Sequence, residues 1–215
     1  MTVRCGYTAA QVREAERPLL EAGVPLMRMA ASMLAAEVRA LAPRRILLLV
    51  GSGDNGGDAL YAGAELAAEG IEVVAIATGT RMHEAASNAA RDAGVRFATP
   101  ADAAAQTTAA EVVLDGILGT GSHGALRGTA REVVAAVLAA GPRYVVAVDL
   151  PSGIGTDDGS VTDETVLPAD LTVTFGAEKA GLLLEPGSRY TGRVVLVDLG
   201  LQLRGDPLVM LEPHG

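Results

Sequence analysis

Short continuous apolar runs, such as Ile46-Leu47-Leu48-Leu49-Val50, alternate along most of this chain with longer polar and alanine-rich stretches. The runs have strand length and the stretches between them helix length, so the pattern predicts strand–helix alternation. Two helices come first. Thr8 caps one that runs to about Ala22, and Gln11, three residues on, completes a capping box. Pro18 is expected to bend or split it, and Gly23 to end it. Pro25 suits the first turn of a second helix over residues 26–41, closed by Pro43. Arg45–Val50 then reads as a buried strand, 51–57 as a loop and 58–69 as a helix ended by Gly70. Further strands are expected at 71–77, 95–98, 111–114, 144–148, Leu171–Phe175 and 194–197, and further helices at 83–93 and 129–140. Residues 203–215 predict no helix and read either as a boundary toward a further domain or as a frayed terminus.

Continuous apolar strands separated by helices predict a parallel sheet covered on both faces. The expected fold is therefore a three-layer α/β/α, Rossmann-like domain over residues 1–215, with a mostly parallel central sheet and two N-terminal helices. Right-handed crossovers bring the C-terminal ends of such strands to one edge, where open α/β sheets bind ligands.

Composition narrows the function classes. Hydrophobic residues make up 49% and aromatics only 3% of 215 residues, so the core is built of Ala, Val, Leu and Ile. A formal charge of −9 disfavours a nucleic-acid partner. It leaves room for a dinucleotide, whose phosphates backbone N–H groups can hold. The lone cysteine, Cys5, excludes an internal disulfide and a cysteine zinc cluster, which fits a reducing cytoplasm. Residues 1–6 lack the apolar core of a signal peptide, and the apolar runs are far shorter than the ~18–20 residues of a membrane span. A cytoplasmic protein is expected.

Four glycine-rich or acidic segments fall at predicted strand ends. The first is Gly51-Ser52-Gly53-Asp54-Asn55-Gly56-Gly57-Asp58. Its Gly-x-Gly-x-x-Gly spacing fits a dinucleotide loop, but the usual ribose-binding carboxylate is missing from the end of the second predicted strand, Ala75-Ile76-Ala77-Thr78. An ordinary hydride-transferring enzyme is disfavoured on that ground. The same segment also fits a tight turn with Asp58 capping the following helix. The second segment, Asp115 to Gly124, suits an anion- or sugar-binding loop or a solvated turn; His123 in it is a candidate acid or base, or simply an exposed loop histidine. In the third, Asp149 closes an apolar strand before Leu150-Pro151-Ser152-Gly153, where burial is expected to raise its pKa toward neutrality and suit proton transfer. In the fourth, Lys179 is either a surface lysine or a neutraliser of phosphate or carboxylate charge.

Taken in order, these segments resemble the YjeF N-terminal domain family, the NAD(P)H-hydrate epimerases. The likeness extends from Leu26-Met27-Arg28-Met29-Ala30, through the four segments and Ala169-Asp170-Leu171-Thr172-Val173-Thr174-Phe175, to Gly192 and Val197-Asp198-Leu199-Gly200. It implies a substrate, NADH or NADPH hydrated across the ring C5=C6 bond, whose R and S epimers at C6 are interconverted for repair by a dehydratase. That dehydratase is often fused to the same chain. The resemblance places substrate contacts on Asp54, Asn55, Gly56, Gly57 and Asp58, on Gly119, Thr120, Gly121, Ser122, His123, Gly124 and Ala125, and on Asp149, with Lys179 balancing charge. It implies a potassium ion held by Asn55, Asp115 and Ser152, and a homodimer for which the apolar 26–41 helix offers a seam. Hard oxygen ligands suit such a cation. Two positions depart from the family's usual Asn-Asn-Gly-Gly-Asp-Gly: Asp54 replaces the first Asn and Ala59 the last Gly. The hydrated ring carries a hemiaminal at C6, so inversion requires the hydroxyl to leave with a proton and water to return on the other face. Asp149 is the expected acid–base group. A non-catalytic binding module of the same fold is the alternative, and the retained polar residues weigh against it.

Overall fold

Seven of the apolar runs form one sheet in the computed structural model, which describes residues 3–121 and 124–212. In chain order its strands are β2 (Arg45–Val50), β3 (Glu72–Ala77), β4 (Arg96–Ala98), β5 (Val112–Gly116), β6 (Val145–Val148), β7 (Leu171–Phe175) and β8 (Arg193–Val197). Across the sheet they run β4-β3-β2-β5-β6-β7-β8, and every pairing is parallel. The order reverses between β2 and β5, which leaves a crevice above their C-terminal ends.

Residues 46–50 show why the sheet needs cover on both sides. Ile46, Leu48 and Val50 face a layer formed by α2 (Leu26–Ala40), α3 (Asp54–Ala68) and α4 (Glu84–Asp92). Leu47 and Leu49 face α5 (Ala103–Ala109) and α6 (Gly128–Ala140). Alternation along a pleated strand divides one apolar run between two cores. The expected three layers are present.

Several boundaries differ from the sequence reading. Helix α1 (Ala9–Glu21) carries the expected Thr8–Gln11 capping box but runs unbroken past Pro18, whose ring lies on an exposed face. Helix α5 was not expected in Ala103-Ala104-Ala105-Gln106-Thr107-Thr108-Ala109. There the Thr107 and Thr108 hydroxyls bond back to the carbonyls of Ala103 and Ala104, at 2.8 and 3.0 Å, so the hydroxyls do not pull the backbone out of the helix. At the termini, β1 (Arg4–Gly6) pairs antiparallel with β9 (Val209–Leu211), so residues 209–211 are neither frayed nor free of structure.

The largest correction is at the glycine-rich segment. Helix α3 starts at Asp54, not Asp58, with Gly53 as an extended N-cap residue. The Gly56-Gly57 pair that reads as a turn belongs to the first turns of the helix. Glycine is required at 56 by close approach: a Cβ there would lie 2.2 Å from the Gly51 carbonyl oxygen. Backbone thus meets backbone where α3 enters above β2. Ala59 is helical, so its methyl is accommodated as expected.

Gly56→Ala is therefore expected to lose about 1–3 kcal/mol of stability by overpacking. Gly121→Ala, where no heavy atom lies within 4 Å of the added carbon, should stay within about 0.5 kcal/mol of the wild type. Urea denaturation of the two variants checks both.

Candidate active site

Strands β2, β5, β6 and β7 are neighbours in the sheet, so the segments that follow them meet above one rim. A pocket of about 590 Å³ opens there. Asp54, Asn55 and Asp58 line it from α3, Gly119, Thr120 and Gly121 from the loop after β5, Asp149 from the end of β6, and Lys179 from beyond β7. Gly56 and Gly57 lie buried in the helix behind this wall. Gly124 and Ala125 are outside the lining, and Ser122 and His123 lie outside the described residues.

Asp149 is held tightly. Its backbone adopts φ +69°, and the Leu150 N–H closes back on the Val148 carbonyl at 2.9 Å across it. This tight three-residue turn is unusual for a residue with a side chain, though aspartate tolerates positive φ better than most. The carboxylate is 6% exposed. Oδ1 accepts from the Lys179 ammonium and from the Thr174 hydroxyl at 3.1 Å; Oδ2 accepts from the Thr120 hydroxyl and, at 3.3 Å, the Thr120 N–H. Lys179 is 2% exposed and also donates to the Phe175 carbonyl at 2.9 Å and to Thr174 Oγ1 at 3.2 Å. The surface-lysine reading of Lys179 is thereby set aside in favour of carboxylate neutralisation.

The expected pKa of Asp149 is also corrected. Burial does push it up, but the Lys179 charge, aided by hydrogen bonds from Lys179, Thr120 and Thr174, outweighs burial and leaves it below the usual carboxylate value. Asp149 is an anion, fit to accept a proton and to face a cation. Asp58 is the opposite case. Desolvation, then the charges of Asp149 and Asp54, push its carboxyl well above the ordinary range against the opposing pull of Lys179. Nor does Asp58 cap α3, since it lies in the second turn.

Beneath the pocket, Asp115 sits within β5, opposite Leu49 of β2 and Ala147 of β6, and is fully buried. Its carboxylate accepts the Ser152 hydroxyl at 2.6 Å, the Ser152 N–H at 2.8 Å and the Ile117 N–H at 3.3 Å. The Leu118 carbonyl lies 3.4 Å from Ser152 Oγ and accepts the Asn55 amide at 3.0 Å. Asn55 and Ser152 therefore meet at one carbonyl, and Asp115 is joined to it through Ser152. Burial still raises the Asp115 pKa over these hydrogen bonds, and among the described residues no lysine or arginine is paired with it. A buried carboxylate without a counter-ion, close to the Ser152 hydroxyl and through it to the Leu118 carbonyl, offers hard oxygens that fit an alkali cation.

Sequence reasoning missed other parts of the wall. Arg13 and Glu16 reach the pocket from α1, and burial, as the largest cause, raises the Glu16 pKa. Thr174 was seen only as part of a strand. Its signal was a threonine in a wholly buried run, where a hydroxyl needs a partner. At the end of β3, the Thr78 hydroxyl bonds the Val50 carbonyl at 3.0 Å, so that position carries no ribose carboxylate.

Residues 23–181 match a family model described as the YjeF-related protein N-terminus. The chain is 55% identical to an NAD(P)H-hydrate epimerase of Clavibacter michiganensis, covering 95% of this chain and 94% of that one. An NAD(P)H-hydrate epimerase of Microbacterium testaceum is 51% identical over 91% of this chain and 78% of its own. A bifunctional NAD(P)H-hydrate repair enzyme of Mycobacterium tuberculosis is 42% identical over 92% of this chain, which spans only 42% of that longer protein. The crystal structure of yeast ynu0 shares the fold, with a TM-score of 0.73 at 16% identity over 89% of this chain and 86% of that one.

Removing Lys179 should strand a buried anion. Lys179→Met is expected to lose about 3–5 kcal/mol at pH 7, and adding Asp149→Asn should restore much of it. Because the folded pKa of Asp149 is depressed, the pair's stabilisation holds above the unfolded carboxylate pKa and is lost as pH falls through the folded one. The gap between Lys179→Met and wild type should therefore narrow in acid, as measured by urea denaturation across pH.

Proposed function

The chain belongs to the YjeF N-terminal family, and on that premise we propose that its pocket interconverts the R and S epimers of NADHX and NADPHX at C6 of the hydrated nicotinamide ring. This is the activity of an NAD(P)H-hydrate epimerase, the name carried by relatives more than half identical over nearly the whole chain. The observation that carries the reading is the Asp149 carboxylate, kept ionised by Lys179 in the wall of the pocket.

The chemistry needs such a group. The C6 hydroxyl of the substrate stands beside a ring nitrogen whose lone pair helps to expel it. Once the hydroxyl leaves as water, a planar cation remains, and water returning to the opposite face gives the other epimer. A fixed anion near the ring stabilises that cation with little reorganisation. The same carboxylate takes a proton from the incoming water. Lys179 keeps Asp149 ionised and oriented, while Thr120 and Thr174 occupy its remaining lone pairs. Asp54, Asn55, Gly119 and Gly121, which line the pocket, contact the rest of the nucleotide. At the start of α3, free backbone N–H groups favour phosphate, and Asp54 adds a negative charge that opposes it.

Asn55, Asp115 and Ser152 would hold a potassium ion beneath the ring site, together with the Leu118 carbonyl. A bound ion there supplies positive charge that offsets Asp115 and fixes the base of the loop after β5. The reading further includes a cytoplasmic domain comprising residues 1–215 and a homodimer. The outward side of α2 offers the seam, with Met29 and Met33 40% and 47% exposed, while its other side packs on its own sheet. The S epimer passes to a dehydratase, as the bifunctional repair enzymes among the relatives suggest.

Two outcomes are expected. Asp149→Asn should slow epimer exchange by about 100-fold or more while NADH still binds, as followed by chromatography of the separated epimers. Exchange at the wild-type rate would remove Asp149 from the reaction. Potassium in place of tetramethylammonium should raise the thermal midpoint of the wild type and leave that of Asp115→Asn unmoved.

A further inference from the structure

Asp58 stands in the second turn of α3 and lines the same pocket as Asp149. Its Oδ1 is sealed from solvent and has no hydrogen-bond partner. Buried polar atoms are nearly always paired, so an orphan in a pocket wall marks a group whose partner is the ligand. The charged groups around it are Asp149, Asp54 and Glu16, which oppose its ionisation, and Lys179, which favours it but is already committed to Asp149. The balance of this setting is against a second anion. Asp149 has an ammonium and two threonine hydroxyls; Asp58 has none of these.

Resting on the epimerase reading above, we infer that Asp58 is the proton donor to the departing C6 hydroxyl, so that inversion runs between two carboxyls in opposite protonation states. The Asp58 proton passes to the hydroxyl oxygen, the C6–O bond breaks with its electron pair on oxygen, and water leaves. The nitrogen lone pair forms the N1=C6 double bond. Water then attacks C6 from the other face, the electrons of that double bond return to nitrogen, and the extra proton goes to Asp149. One water is lost and one gained. Asp58 ends ionised and Asp149 protonated, which is the arrangement that runs the reverse reaction, and solvent resets the pair. Two carboxyls lining one pocket give each of the two proton transfers its own group.

The test uses separated NADHX epimers with the wild type and Asp58→Asn, which keeps the shape of the side chain and removes the acid. Exchange by Asp58→Asn should fall by about 100- to 10,000-fold in kcat. NADH, as a non-reacting probe, should bind within about threefold of wild type. A donor must be protonated, so wild-type kcat should decline on the basic side, and the residual activity of the variant should lack that decline. A merely structural Asp58 would leave the shape of the pH profile unchanged. Exchange by Asp58→Asn within about threefold of wild type, or a basic limb that survives the substitution, overturns the proposal. If the variant does not fold, a wild-type kcat that stays level from about pH 5 to about pH 10 overturns it as well. A wild-type protein that leaves the epimer ratio untouched overturns the reaction itself and this role with it, an outcome distinct from loss confined to the variant.

Discussion

The ion pair between Lys179 and Asp149 governs how the rest of the site is arranged. A carboxylate at the end of a buried strand has lost its water, and it stays charged only if other groups replace that water. Here one ammonium and two threonine hydroxyls do so. Each comes from a different segment: Thr120 follows β5, Thr174 ends β7 and Lys179 lies beyond it. The pair therefore fixes how three loops stand relative to one another. The tight turn at Asp149, with its positive φ, is tolerated because those partners hold the side chain where the turn places it.

Against that background three of the aspartates of the site differ sharply, though their side chains are alike. Asp149 has a counter-ion and stays charged. Asp58 has neither a counter-ion of its own nor a donor to Oδ1 among the described residues, and desolvation raises its pKa. Asp115 has donors, the Ser152 hydroxyl and two backbone N–H groups, but no counter-ion among the described residues. Environment alone sets these three aspartates apart within one pocket and its floor, which is the usual way a single residue type is fitted to several roles.

Much of this was legible in the chain. Apolar runs of strand length gave the sheet, and the parallel order followed from the helices between them. The four segments named from sequence do meet at one rim, because strands joined by right-handed crossovers all point the same way. What failed has physical causes. Gly56-Gly57 reads as a break because glycine disfavours helix; the structure needs it where α3 nearly touches Gly51. The pKa of Asp149 was misjudged because burial is visible in a sequence pattern whereas a lysine thirty positions away is not. Glu16 and Arg13 were missed because a helix preceding the sheet carries no mark of which face meets the pocket. Strands β1 and β9 are three residues each, too short for periodicity to register.

Those two short strands bear on how the lysine of the site is seated. Tyr7, next to β1, exchanges backbone hydrogen bonds with Glu178 and Ala180 on either side of Lys179, at 2.8 and 2.9 Å. The opposite edge of β1 is closed by β9, more than two hundred positions later in the chain. During synthesis, residues 4–7 precede both of these partners and wait for them. The lysine that charges the site is thus seated by a clasp between segments far apart in the chain, and a domain in which β9 is unpaired has that lysine only half secured.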